Sequence, residues 1–201
     1  SMDRIHGHVS FSSTAPSTPS VRVWLIQYDP TDSSITATDS VTSCTDAGTE
    51  YYSFDSKPAG NYLVKAKLLS AAPGTSDYIP TYGASTPNWY LAASTSHAAG
   101  AVDVQDINMI YGTVPSGPGF ISGYVYAGAG KGTAAGDPVP GTLIYLRNAT
   151  GTILTYTYTN ASGAYSFSSL ALGSYVVYPE AQTFYTTPSD VITLTTSNVS
   201  Y

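Results

Sequence analysis

The chain has one cysteine, Cys44, so no disulfide can form within it and stability has to come from burial rather than from covalent staples. Cys44 itself reads as a small, half-buried strand residue, with no neighbouring pattern that would make it a nucleophile. Charge is scarce as well: 10% of the 201 residues are charged, seven Lys and Arg against thirteen Asp and Glu. The resulting net charge of -6 leaves no basic stripe, which counts against nucleic acid and against anionic membrane surfaces as partners. No run of about 18 apolar residues occurs, so no segment reads as a membrane-spanning helix. Helical periodicity is nearly absent, because each window meets Gly, Pro or a Ser/Thr cluster before apolar residues recur at three- and four-residue spacing. The Ser1-Met2 start carries neither a basic nor an apolar leader, and reads as a cloning remnant ahead of an excised fragment.

What remains is 42% hydrophobic, with 18 Tyr, 18 Gly, 13 Pro and many Ser and Thr, the texture of an extracellular β protein whose surface is hydroxyl and amide rather than ionic. The pattern also occurs twice. Thr45-Asp46-Ala47-Gly48 leads to Tyr52-Ser53-Phe54 and Gly60-Asn61-Tyr62-Leu63-Val64, and Asn160-Ala161-Ser162-Gly163 leads to Tyr165-Ser166-Phe167 and Gly173-Ser174-Tyr175-Val176-Val177. Upstream, Ile5-His6-Gly7-His8-Val9 matches Ile121-Ser122-Gly123-Tyr124-Val125, and Val23-Trp24-Leu25 matches Ile144-Tyr145-Leu146. Copies about 115 residues apart argue for two modules, and a repeated module argues for a spacer or binding array before an enzyme, since an active site needs one converging set of groups.

Period-two alternation supplies the strands. In Tyr62 to Leu68 the set Tyr62, Val64, Ala66 and Leu68 faces one side and Lys65 and Lys67 the other, a strand with one wet face; Thr155 to Thr159 alternates Thr and Tyr in the same way. Strands in the second module are predicted at roughly 120–126, 142–147, 152–159, 164–168, 173–179 and 190–195. Asn148-Ala149-Thr150-Gly151 and Asn160 to Gly163 provide hairpin turns, with Asp29-Pro30-Thr31-Asp32 and Thr45 to Gly48 at corresponding places in the first module. The fold class is therefore all-β: two tandem antiparallel Greek-key sandwiches, residues 1–112 and 120–201, joined by a Pro- and Gly-rich linker at 113–119. The first module carries an aromatic insertion at about 70–100, and its last strand, Val102 to Met109, shifts its alternation near Asp106 as a β-bulge would.

The string Asn160 to Phe167 followed by Leu172-Gly173-Ser174-Tyr175-Val176-Val177 resembles prealbumin-like sandwiches, the carboxypeptidase regulatory-like domains and the Cna B-type repeats of bacterial adhesins. Tyr62 to Ala66, Tyr78 to Gly83 and Trp89 are similar to modules of secreted or cell-surface proteins of the Bacteroidetes. The resemblance implies an exported, multidomain parent, whose neighbouring domains are the first partners to expect. Some B-type domains crosslink Lys to Asn; here Lys65 and Lys67 point outward, Lys57 and Lys131 sit in turns, and the first strands lack Lys, so that pattern fails.

Among candidate sites, the aromatic insertion stands first. Tyr78, Tyr82, Trp89 and Tyr90 lie close together among Pro, Gly and Asn, and exposed rings of this kind stack on sugars or on a protein surface; the competing reading folds them back over the sandwich. Calcium is the cofactor to consider, with Asp29 and Asp32, Asp46 and Glu50, and above all Asp103 and Asp106 as carboxylate pairs, against a reading of solvated turns that needs no cofactor. His6 and His8 share a strand face but lack a third ligand, His97 being remote. Asp39-Ser40-Val41 matches a short O-glycan acceptor pattern at Ser40, and the Gly-rich run at 128–133 has neither the spacing nor the following helix of a phosphate loop. No catalytic residues are expected. The leading functional reading is a non-catalytic spacer or adhesive module of a secreted or surface protein; the alternative is a carbohydrate-binding accessory module, with a glycan or a host protein as ligand.

Overall fold

The computed structural model describes residues 3–46, 49–128, 136–182 and 184–201. The turn at Ala47-Gly48, most of the Gly-rich run at 128–133, Lys131 and the Ser1-Met2 start lie outside these. The chain divides into two compact units, one made of residues 1–71 and 78–111, the other of residues 72–77 and 112–201. The boundary differs from a simple tandem cut in one respect: six residues at the start of the insertion belong with the second unit. Gly74 donates its backbone N–H to the Tyr156 carbonyl, and the Thr155 hydroxyl donates to the Thr75 carbonyl, so this short segment lies along a strand of the second unit.

In the first unit the strands are β1 (Arg4–Phe11), β2 (Val21–Tyr28), β3 (Ile35–Thr42), β4 (Cys44–Asp46), β5 (Thr49–Asp55) and β6 (Gly60–Leu68). The short elements β7 (Asp77–Tyr78), β8 (Thr81–Tyr82), a 3-10 turn at Trp89–Leu91, β9 (Thr95–His97), β10 (Val102–Val104), β11 (Ile107–Met109) and β12 (Tyr111–Gly112) follow. One sheet runs β10-β1-β5-β4 with β11 also on β1; the other runs β3-β2-β6-β8 with β9 also on β6. Ile5, Val9, Tyr52 and Phe54 from the first sheet meet Val23, Leu25, Tyr62, Val64 and Ala66 from the second in one core. Within these two sheets the described ladders are antiparallel except where β1 pairs with β10 and β11 in parallel. Period-two alternation assigns faces, not strand direction, so this departure from an all-antiparallel sandwich could not be read from it.

The second unit contains β13 (Ser116–Tyr124), β14 (Leu143–Asn148), β15 (Ile153–Tyr158), β16 (Ala164–Leu170), β17 (Gly173–Glu180) and β18 (Ile192–Leu194). β13 pairs with β16, and the facing sheet runs β15-β14-β17-β18. Residue equivalence between the units is close. Ile5 opposes Phe54 and Gly7 opposes Tyr52 on β1 and β5, as Ile121 opposes Phe167 and Gly123 opposes Tyr165 on β13 and β16. Leu25 opposes Val64 as Leu146 opposes Val177, and β9 joins β6 at Gly60 to Tyr62 as β18 joins β17 at Gly173 to Tyr175. The Tyr62 hydroxyl donates to the Pro58 carbonyl at 2.7 Å, and the Tyr175 hydroxyl to the Ala171 carbonyl at 2.6 Å, so the same ring braces the same bend in both. The parallel ladder recurs as well, with Phe120 bridging Ser200.

Three sequence expectations change. The segment read as a linker at 113–119 already belongs to a strand from Ser116, with register shifts at Gly119. Gly117 and Gly119 permit this because the end of β16 passes so close that a Cβ on either would stand 2.7 Å from the Leu170 carbonyl oxygen. The outer face of β6 is not wet throughout. Leu63 and Ile26 are buried there under Tyr82 and Trp89, and the Lys65 ammonium lies 5.1 Å from the Tyr82 ring centre. Cys44, read as half-buried, is exposed on β4, a short strand at the rim of its sheet.

Candidate binding pocket and the carboxylate-held histidine

The four rings of the insertion do not form an exposed platform. Tyr78, Tyr82 and Trp89 are buried; Tyr90 alone is open, at 52% exposure. Their burial follows from what the insertion has to do: the outer faces of β2 and β6 present Ile26 and Leu63, and the turn at Trp89–Leu91 together with β8 covers them. Tyr78 packs edge-on against Phe11 and Tyr111, and its hydroxyl accepts the Ser13 backbone N–H while donating to the Thr14 carbonyl.

Asp103 and Asp106 serve different partners. Asp106 accepts the backbone N–H of His8 at 2.8 Å where the parallel ladder breaks between β10 and β11, which is the irregularity that the shifted alternation announced. Asp103 instead holds His97. The His97 side chain is fully buried, with Nδ1 2.6 Å from Asp103 Oδ2 and Nε2 2.9 Å from Asp3 Oδ1, while the second Asp3 oxygen accepts the Gly100 N–H at 2.9 Å. Burial opposes the charged ring, but the two carboxylates outweigh it and hold the imidazole pKa above its ordinary 6.5. The Gly100 N–H, with help from His97, holds Asp3 below its ordinary 3.8. A cation with a carboxylate on each nitrogen joins the start of β1, β9 and β10, and its chemistry is that of a clamp: neither nitrogen is left to accept a proton from a substrate or to ligate a metal. His6 and His8 both lie against Tyr51, and burial lowers the His6 pKa.

Four further carboxylates of the first unit are likewise spent on structure. Asp29 Oδ1 accepts from the Thr31 N–H and hydroxyl, Asp32 Oδ1 from the Ser34 N–H, and Asp39 pairs with Lys57 at 2.5 Å. Buried Glu50 accepts from the hydroxyls of Ser43 and Thr45. The Ser40 hydroxyl is half-buried and accepts from the Arg22 guanidinium at 3.2 Å. Among the described residues no group of three or more His, Cys, Asp or Glu is placed to hold a metal ion.

Exposed rings do gather, but in the second unit. A cavity of about 590 Å³ lies between the end of β13, the segment before β14 and the segment after β17. Tyr124, Tyr126, Phe184 and Tyr185 line it, together with Pro138, Pro140 and Pro179 and the hydroxyl residues Thr142, Thr186 and Thr187. Tyr124 and Tyr126 stand side by side with ring centres 5.9 Å apart and planes within 12°, and both are exposed. Alternation puts them on one face: Val125 and Ala127 between and beyond them point the other way and are half-buried and buried. The strand end is fixed by main-chain bonds, Val125 N–H to the Gly163 carbonyl and Ala127 N–H to the Asp137 carbonyl. Gly163, with φ of 76°, makes the approach possible, since a Cβ there would stand 2.7 Å from the Val125 carbonyl oxygen. The signal for this site was present in Tyr124-Val125-Tyr126 and Pro138-Val139-Pro140, but only folding brings Phe184 and Tyr185 beside them.

Comparison with known proteins adds the following. Residues 121–200 match the family model of the carboxypeptidase regulatory-like domain, which takes in the second unit from β13 to the final parallel bridge. No curated protein matches the chain significantly. Similar solved structures include the TIE protein of Bacillus anthracis, at 14% identity over 96% of this chain and 32% of that one, with a TM-score of 0.32. The minor pilin of Streptococcus agalactiae is 12% identical over 95% of this chain and 91% of that one (TM-score 0.30). A leucine-rich repeat protein from Bacteroides thetaiotaomicron is 13% identical over 96% and 24%, respectively (TM-score 0.36). The chain thus spans about a third of the Bacillus protein and about a quarter of the Bacteroides one.

Proposed function

We propose that the chain is a pair of non-catalytic sandwich modules of an exported bacterial surface protein, acting as a spacer that displays a neighbouring domain. The observation that carries this is the duplication itself: the same ladders, the same braced bend at Tyr62 and Tyr175 and the same turn chemistry recur, and each copy uses its polar groups to build its own frame. Asp29 and Asn148 each cap a hairpin by accepting from the hydroxyl and N–H two residues on, a structural use of residue types that also serve as ligands. Asp3, Asp29, Asp32, Asp39, Glu50 and Asp103 end on backbone N–H groups, hydroxyls, Lys57 or His97 rather than around a shared cleft. The match of residues 121–200 to a carboxypeptidase regulatory-like model accords with this reading. Carbohydrate binding through the first unit's insertion loses its support, because Tyr78, Tyr82 and Trp89 are buried.

The test is made in the producing cell. Deleting this stretch from the parent, in frame, should leave any enzymatic activity of its other domains intact per molecule while reducing their accessibility to antibody or protease on intact cells. Loss of a catalytic activity that the isolated chain carries by itself would refute the reading.

A further inference from the structure

The cavity of the second unit goes beyond a spacer's needs. We propose that it is a binding site for neutral oligosaccharide, with the paired Tyr124 and Tyr126 rings as the stacking surface. Four observations carry this. First, the cavity volume of about 590 Å³ falls in the range of roughly 300–1,000 Å³ that small-molecule sites occupy. Second, among the described residues that line it none has a charged side chain, so an anionic or cationic ligand would lose its hydration without gaining a counter-charge from them. Third, two nearly parallel phenol rings are exposed on one strand face, and Phe184 and Tyr185, the latter 77% exposed, line the same cavity. A sugar ring offers such a surface its flat C–H face, whereas the fully buried rings elsewhere are closed to any ligand. Fourth, the polar side chains among the described lining residues are hydroxyls, from the tyrosines and from Thr142, Thr186 and Thr187, and a hydroxyl both donates and accepts.

That fourth point separates sugar from the other ligand that aromatic and proline-lined grooves attract, a polyproline segment. Proline positions have no N–H, so such a peptide presents acceptors alone and engages only half the capacity of a hydroxyl rim. Sugar hydroxyls donate and accept in turn and use all of it.

The experiment is affinity electrophoresis and NMR titration of the whole chain with cellohexaose, xylohexaose and mannohexaose, alongside hexagalacturonate and a decaproline peptide. The expected result is binding of at least one neutral oligosaccharide, no binding of the uronate, and a loss of about tenfold in affinity for each of Tyr126→Ala and Tyr185→Ala. Tyr126→Phe, which keeps the ring and removes the hydroxyl, should retain most of the affinity. Both positions are more than half exposed, so melting temperature stays with that of the unsubstituted chain and a loss reads as a lost contact. Failure of all three neutral sugars, preference for decaproline or for the uronate, or binding unchanged by both alanine substitutions would overturn the proposal. None of these results touches the spacer reading, which is tested on the cell.

Discussion

The two units place equivalent residues in equivalent ladders, yet they use their spare aromatic side chains in opposite directions. In the first unit, Tyr82 and Trp89 come from the inserted segment and close over Ile26 and Leu63 on the outside of a sheet. In the second, Tyr124, Tyr126 and Tyr185 stay open around a cavity at the end of the sandwich. The lesson is that the duplicated frame sets where strands run but not which surface is covered. Coverage belongs to the connections between strands, and those are the parts in which the two units differ. The tight spots differ as well. Gly7 and Gly123 are equivalent, but a Cβ on Gly7 would meet the Gln105 main-chain carbonyl at 2.2 Å, whereas on Gly123 it would meet the end of the Tyr165 side chain at 2.5 Å.

The largest effect expected from breaking this comparison is at Trp89. Trp89→Ala empties the cover over Ile26 and Leu63 and should cost the first unit about 3–5 kcal/mol. Hydrogen exchange read by mass spectrometry would show β2 and β6 losing protection while β14 and β17 keep theirs. Next is the glycine pair. Gly7→Ala should cost about 1–3 kcal/mol, because a main-chain carbonyl cannot step aside, and Gly123→Ala should cost less, because the Tyr165 ring can swing. Equal costs in denaturant titrations would mean that the β10 to β11 junction yields as readily as a side chain.

The pH dependence is a third point of difference, since the second unit contains no histidine. His97 has its folded pKa raised above the 6.5 of an unfolded chain, so its stabilisation is complete below 6.5 and is lost as pH rises through the folded value. Asp3 is held below 3.8, so its contribution is complete above 3.8 and is lost as pH falls through its folded value. Protection of β9 and β10 should therefore be greatest between these two values and decline toward alkaline pH, and His97→Gln should flatten the alkaline limb. A decline unchanged by the substitution would assign it to another group. The smallest effect sharpens the likeness rather than the difference: Tyr62→Phe and Tyr175→Phe should each cost about 1 kcal/mol, and by similar amounts, since each removes one hydroxyl bond to the carbonyl four residues earlier.

Much of the frame was legible before folding because period-two alternation and turn chemistry are local. The matching of Ile5 and Gly7 to Ile121 and Gly123 corresponds to the observed registers, and the second unit's strands fall within a few residues of their expected places. What escaped was set by distant partners. Whether Leu63 faces water depends on Trp89, 26 positions on in the chain; His97 finds one carboxylate at Asp103 but the other at Asp3, 94 residues earlier. The aromatic cluster noticed in the sequence, Tyr78 to Tyr90, was dense along the chain, and that density reflected a face to be covered. The open cluster draws its rings from positions about sixty residues apart, so no local window could hold it.

One measurement addresses both halves of this account together: nitration of the native chain with tetranitromethane, with the extent at each tyrosine read by peptide mass spectrometry. Tyr90, Tyr124, Tyr126 and Tyr185 should react readily, and Tyr52, Tyr78, Tyr82 and Tyr145 should stay protected until the protein unfolds. Ready modification of Tyr78 and Tyr82, or protection of Tyr124 and Tyr126, would contradict the claim that one frame turns its rings inward in the first unit and leaves them open in the second.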